Sequence, residues 1–228
     1  SAIQLDPNLS EGYFNLGLLY CALGQLKKGL ALYEWRFKRE KSFCKSPSSS
    51  KRWDGHAPLL NKAVLVYEEQ GWGDFIQMCR YLILLENKGA RVIVGVNHRL
   101  HWLVRGLSTK FEVIDGRSGR DGIDFEIPIM SLPHLFGTDI GSIPNTVPYI
   151  YATEEKKRKW SAQLNSETFK IGICSQGSGG RIDRGRSFPI SLFEEIASLP
   201  NVELISVHKG LGEPQLDGLN FNVTVLRD

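Results

Sequence analysis

Residues 62–78 read KAVLVYEEQGWGDFIQM, and residues 79–85 continue with CRYLILL. The first seven, 62–68, form a short run rich in valine that suits a buried strand. Glu69-Gln70-Gly71-Trp72-Gly73-Asp74 then breaks the run, and the apolar spacing from Phe75 onward is that of a helix. Strand, glycine turn and acidic helix start together describe the first βα unit of an open α/β sheet. Ligands of such sheets bind outside the carboxyl ends of the strands, where this turn lies. Gly71 and Gly73 permit close backbone approach, and with Gln70 they are expected to line a cleft. Asp74 is placed to project into that cleft from the helix N-terminus; it is equally placed to cap the helix. The two roles are compatible. A dinucleotide fingerprint would need Gly or Ala three residues beyond Gly73, where Ile76 stands. The second strand, 91–96, ends at Asn97-His98-Arg99 with no acidic residue for a ribose. Both details argue against NAD.

Gly71-x-Gly73-Asp74-x-Ile76 after a first strand resembles the N-terminal motif of the ADP-heptose lipopolysaccharide heptosyltransferases, which have the two-domain GT-B fold. The longer run EQGWGDFIQMCRY, 69–81, is similar to bacterial proteins that join tetratricopeptide repeats to such a glycosyltransferase-like domain, and Trp53-Asp54-Gly55 matches that family's lead-in. The resemblance implies a Rossmann-like acceptor-side domain, a nucleotide-sugar donor as substrate rather than a cofactor, and Asp74 as the base that accepts the acceptor's proton.

Upstream, Tyr13, Leu16, Gly17 and Tyr20 fit the W-x₂-L-G-x₂-Y template of the tetratricopeptide repeat, with Tyr for Trp. Gly29 and Tyr33 fit the A-x₃-F pattern of its second helix. Two antiparallel helices are expected over 9–23 and 25–39, with Gly17 and Gly29 small where they approach. Leu5-Asp6-Pro7 reads as the end of a preceding repeat. A further repeat would need a proline near Lys41, so the array is expected to stop. Arg36 replaces the usual small residue, and Trp35 and Phe37 are expected to dock the helix onto the next domain.

The chain is thus divided into a repeat (1–41), a linker and lead-in (42–61), a Rossmann-like domain (62–164) and a partial donor-side α/β domain (165–228). Further strands are expected at 111–114, 125–128 and 149–151, with helices at 98–107 and 154–164. Alternation of strands and helices implies a parallel sheet covered on both faces. The last segment repeats the scheme: strand 169–174, a glycine-serine turn, helix 191–198, strand 202–207 and a final strand near 223–226. A turn containing Ser175, Gly177 and Ser178 exposes backbone N–H groups, and nearby arginines are phosphate-seeking forks. A solvated surface turn is the plainer reading. The family resemblance implies that this turn, with Arg186 before the helix, faces the donor pyrophosphate. The family's donor domain has further βα units, so the chain is expected to be a fragment with an unpaired edge that favours self-association.

Composition narrows the classes. A net charge of +3 is too mild to indicate a nucleic-acid partner, and no apolar run is long enough to span a membrane. Four widely spaced cysteines without a CxxC pair suggest packed thiols in the cytoplasm, and the histidines lack metal-site spacing. Three functions follow: glycosyl transfer to a protein or glycan acceptor presented by the repeat, a scaffold that binds a partner protein through the repeat and catalyses nothing, or a nucleotide-binding regulator that uses the 175–186 loop without an acceptor site.

Overall fold

The computed structural model describes residues 2–39, 52–117, 121–164, 167–177, 179, 183 and 185–226. The chain is mixed α/β with parallel sheets and divides into two compact units, Ser1–Thr153 and Glu154–Asp228.

The first unit opens with α1 (Ala2–Leu5), α2 (Ser10–Ala22) and α3 (Leu26–Tyr33), and a 3₁₀ turn, Glu34–Lys38, extends α3. The expected hairpin is present, and its two glycines sit where α2 and α3 touch. A Cβ on Gly17 would lie 2.9 Å from the Gly29 carbonyl oxygen; one on Gly29 would lie 2.7 Å from the Cys21 nitrogen. Those neighbours are backbone, so only glycine allows the helices this close. The Trp35 ring stacks on Tyr13 within the hairpin, centroids 4.0 Å apart, and Phe37 lies under the Arg36 guanidinium.

The sheet strands are β1 (Ala63–Tyr67), β2 (Arg91–Val96), β3 (Glu112–Asp115) and β4 (Phe125–Pro128), interrupted by α4 (Trp72–Met78), α5 (Leu82–Asn87) and α6 (His101–Leu107). The order is β3-β2-β1-β4 and every pairing is parallel, with Val64 opposite Val92 and Phe125. Alternate residues split the core. Val64, Val66, Val92, Val94 and Ile127 pack with Phe75, Leu82, Leu85, Leu103 and Val104 from the helices. Ala63, Leu65, Tyr67 and Ile93 face the other way, onto Ile123 and Ile114. Among the described residues this second cluster is small and takes in no helix.

Residues 52–61 belong to this body. Trp53 is buried and donates its indole N–H to the Ala57 carbonyl at 2.9 Å, and Leu59 joins the same core. The earlier part of the linker, 42–51, lies outside the described residues. Residues 149–151, expected as a strand, form none. Pro144 and Pro148 deprive that stretch of ladder donors, and the Tyr149 hydroxyl instead donates to the Ile76 carbonyl at 3.0 Å. A short helix, α7 (Leu132–Leu135), follows β4.

The second unit begins with α8 (Glu154–Ser161), which buries no residue. Its strands β5 (Phe169–Ile173), β6 (Val202–Ser206) and β7 (Thr224–Val225) form a parallel sheet in that order. A 3₁₀ turn, Ile190–Phe193, leads into α9 (Glu194–Ala197), and Phe193 and Ile196 pack on Ile173, Ile190 and Leu204.

Candidate functional site

β1 is flanked by β2 on one side and β4 on the other, so the turn after β1 opens at the carboxyl edge of both neighbours. Glu68 ties that edge together by accepting the Asn97 N–H at 3.1 Å. Gln70 lies in the left-handed region, φ 64°, a conformation that few non-glycine residues adopt. The reversal lets Gly71 cap α4. Gly71 donates its N–H to Asp74 Oδ2 at 3.0 Å, and Phe75 donates to the Gly71 carbonyl at 3.1 Å. This is the only hydrogen bond of the Asp74 carboxylate among the described residues, which leaves Oδ1 unengaged. Gly71, Trp72 and Gly73 are exposed, and a Cβ on Gly73 would meet nothing within 4 Å. The Trp72 ring is exposed beside Arg99, whose guanidinium carbon is 5.7 Å from its centroid.

Behind the turn lies a buried charge cluster. Arg36 is 2% exposed and forks onto Glu69, Nη2 to Oε1 at 2.7 Å and Nε to Oε2 at 3.1 Å. It also donates to Glu34 at 2.5 Å and to Ser131 Oγ at 2.7 Å, and stacks over Phe37 at 4.0 Å. Glu69 Oε1 additionally accepts the Met130 N–H at 3.1 Å. Burial works against charge on Arg36, but the Glu69 and Glu34 carboxylates outweigh it and hold the guanidinium firmly protonated. Three residues before Arg36, the Tyr33 hydroxyl accepts a hydrogen bond from Gln70 Nε2.

The hairpin that supplies Tyr33 and Arg36 carries the small residues and spacing described above. Residues 1–31 match the tetratricopeptide repeat family. No curated protein and no solved structure matches the chain. The repeat is consistent with a role in binding another protein, and no helix among the described residues is long and apolar enough to cross a membrane.

In the second unit the described amides of Ser175, Gly177 and Gly179 all have partners within the unit. Ser175 is 1% exposed; its N–H donates to His208 Nε2 at 2.7 Å and its hydroxyl lies 3.2 Å from the same nitrogen. That acceptor role puts the imidazole proton on Nδ1, which faces Ser206 Oγ at 3.2 Å. The Gly177 N–H donates to Ser187 Oγ at 3.0 Å, and the Gly179 N–H to Asp183 Oδ2 at 3.3 Å. Ser187 in turn donates to Asp183 at 2.6 Å. Asp183 and Ser187 thus take up the Gly177 and Gly179 amides, on the turn that the family resemblance pairs with a donor pyrophosphate. Ser178 lies outside the described residues, and Arg186 is exposed.

Sequence reading did not single out the open space beyond the ends of β6 and β7. A cavity of about 770 Å³ there is lined by His208, Lys209, Glu213, Asp217 and Val225 among others. Val-His-Lys-Gly at the end of a strand was the available signal, since turns after parallel strands are where such sheets bind ligands. No group of His, Cys, Asp and Glu among the described residues could hold a metal ion.

Proposed function

We propose that the protein is a glycosyltransferase-like enzyme that moves a sugar from a nucleotide-sugar to a hydroxyl of a protein or glycan acceptor, with Asp74 as general base. The observation that carries this reading is the free oxygen of Asp74 on a turn at the carboxyl edge of a parallel sheet. Strand order reverses at β1, and in open α/β sheets the crevice at such a reversal is the usual ligand site. That order supports a Rossmann-like, GT-B type first domain. In the transfer, the acceptor oxygen attacks the anomeric carbon, and the bond to the diphosphate breaks with its electrons leaving on the diphosphate. The acceptor proton passes to the Asp74 carboxylate. Arg186 is assigned to the departing charge. For the Gly177 and Gly179 amides to help, Asp183 and Ser187 must give way, so this turn alone binds a nucleotide-sugar weakly. No cofactor is assigned.

Asp74→Asn keeps a side-chain oxygen that can accept the Gly71 N–H, but removes the base. In the full-length protein, supplied with a panel of UDP- and ADP-sugars, this variant is expected to release nucleoside diphosphate about 10²–10⁴-fold more slowly than wild type. Its Tm should move little. Wild-type turnover that survives the substitution would rule out the base role.

A second reading keeps the repeat as a binding surface for a partner protein. It is favoured by Leu18, Leu19 and Leu23, which stand 45%, 54% and 63% exposed on and just after α2. Co-purification that is lost on replacing these leucines by serine, with no transfer activity in any variant, would decide for it.

A further inference from the structure

The repeat reaches the candidate site through two residues three apart: Tyr33, the last residue of α3, and Arg36 on its 3₁₀ extension. In a 3₁₀ turn residues i and i+3 lie one above the other. Tyr33 and Arg36 therefore present one face, and that face meets two consecutive residues of the turn after β1. Arg36 holds the Glu69 carboxylate from two nitrogens, and Tyr33 holds the Gln70 side chain. Gln70 is the residue at φ 64°, and the next residue is Gly71, which accepts from Phe75 and donates to Asp74. Left-handed backbone at a residue with a Cβ persists only where its surroundings over-determine it. Here the surroundings are supplied by the repeat. Glu69 is anchored from the other side by Met130 N–H, and Ser131 bridges Arg36 and Glu34, so the anchor is rigid.

We propose that Tyr33 and Arg36 are positioning residues of the candidate site: the repeat clasps the Glu69–Gln70 kink and so sets where Asp74 stands. The inference rests on the proposed role of Asp74 for its meaning, but the contact chain stands without it. It also makes the repeat a lever, because a protein ligand that shifts the last turn of α3 would loosen the kink.

The test is amide hydrogen exchange, read residue by residue by NMR, on the protein without substrate. Tyr33→Phe removes one hydroxyl and no ring packing. It should speed exchange at Gly71 and Phe75 by about five- to tenfold, the worth of one hydrogen bond, and leave the β1–β2 ladder unchanged. In a Gln70→Gly background the clasped side chain is gone, and adding Tyr33→Phe should then have no further effect. Exchange at Gly71 and Phe75 that ignores Tyr33→Phe would overturn the proposal, as would an equal rise throughout the ladder, which would mean a general loss of stability. Because no turnover is measured, this result is independent of whether Asp74→Asn abolishes transfer.

Discussion

Arg36 illustrates how one side chain can decide the relation between two modules. Both it and Glu69 are almost wholly buried, and each has several hydrogen-bond partners, the condition under which a buried ion pair is tolerated. The pair itself contributes little net stability, whereas loss of one member strands the other in an apolar setting. Arg36→Met is therefore expected to cost about 3–5 kcal/mol in urea unfolding. The double replacement Arg36→Met with Glu69→Leu should recover much of that loss. A double variant as unstable as the single would show that Glu34 and Ser131, rather than Glu69, carry the cost.

At the scale of elements, glycine positions separate by what surrounds them. Gly29→Ala pushes a methyl group against the backbone of α2 and should destabilise by about 1–3 kcal/mol, since neither helix can yield. Gly106 is also helical, but it is exposed and a Cβ there meets nothing within 4 Å. Gly106→Ala should stabilise by roughly 0.5–1 kcal/mol through helix propensity alone. Thermal melts of the two variants check both signs. Contacts of this kind were legible in the sequence, because helix spacing plus small residues at Gly17 and Gly29 leaves few alternatives. The βα turn at Gly71–Asp74 was legible for the same reason: change of period marks it. What was not legible was partnership across distance. Arg36 in place of a small residue gave a signal, but nothing nearby in sequence named Glu69 or Ser131 as its partners. Asp183 was invisible in a different way. A glycine-serine turn reads as a solvated loop or an anion cradle alike until one knows that its own Asp183 folds back onto the Gly179 amide.

For the molecule as a whole, buried acidic groups set how it responds to alkali. The Cys79 thiol is fully buried and donates to the Ile76 carbonyl at 3.1 Å, and burial pushes its pKa up from 9.0 to about 12. Tyr67 is raised by burial as well. In the unfolded chain these groups lose their protons first, so above pH 9 the unfolded state binds fewer protons than the folded one. Stability is thus intact below pH 9 and declines as pH rises toward 12, by up to about 1.4 kcal/mol per pH unit for each such group. Urea midpoints at pH 8.5 and 10.5 should show the decline, and Cys79→Ala should make it shallower. A slope unchanged in Cys79→Ala would mean the thiol is not the group responsible.

The ion pair between Arg36 and its partners also has a history during synthesis. Glu69 lies 33 residues further along the chain and Ser131 lies 95. At translation rates of 5–20 residues per second, Ser131 is made roughly 5–20 s after Arg36. In that interval the repeat can close its glycine contacts, but the pocket for its guanidinium is incomplete until Ser131 is made. The repeat is therefore expected to close as a hairpin first, and its docking to follow only once the β4 loop is complete.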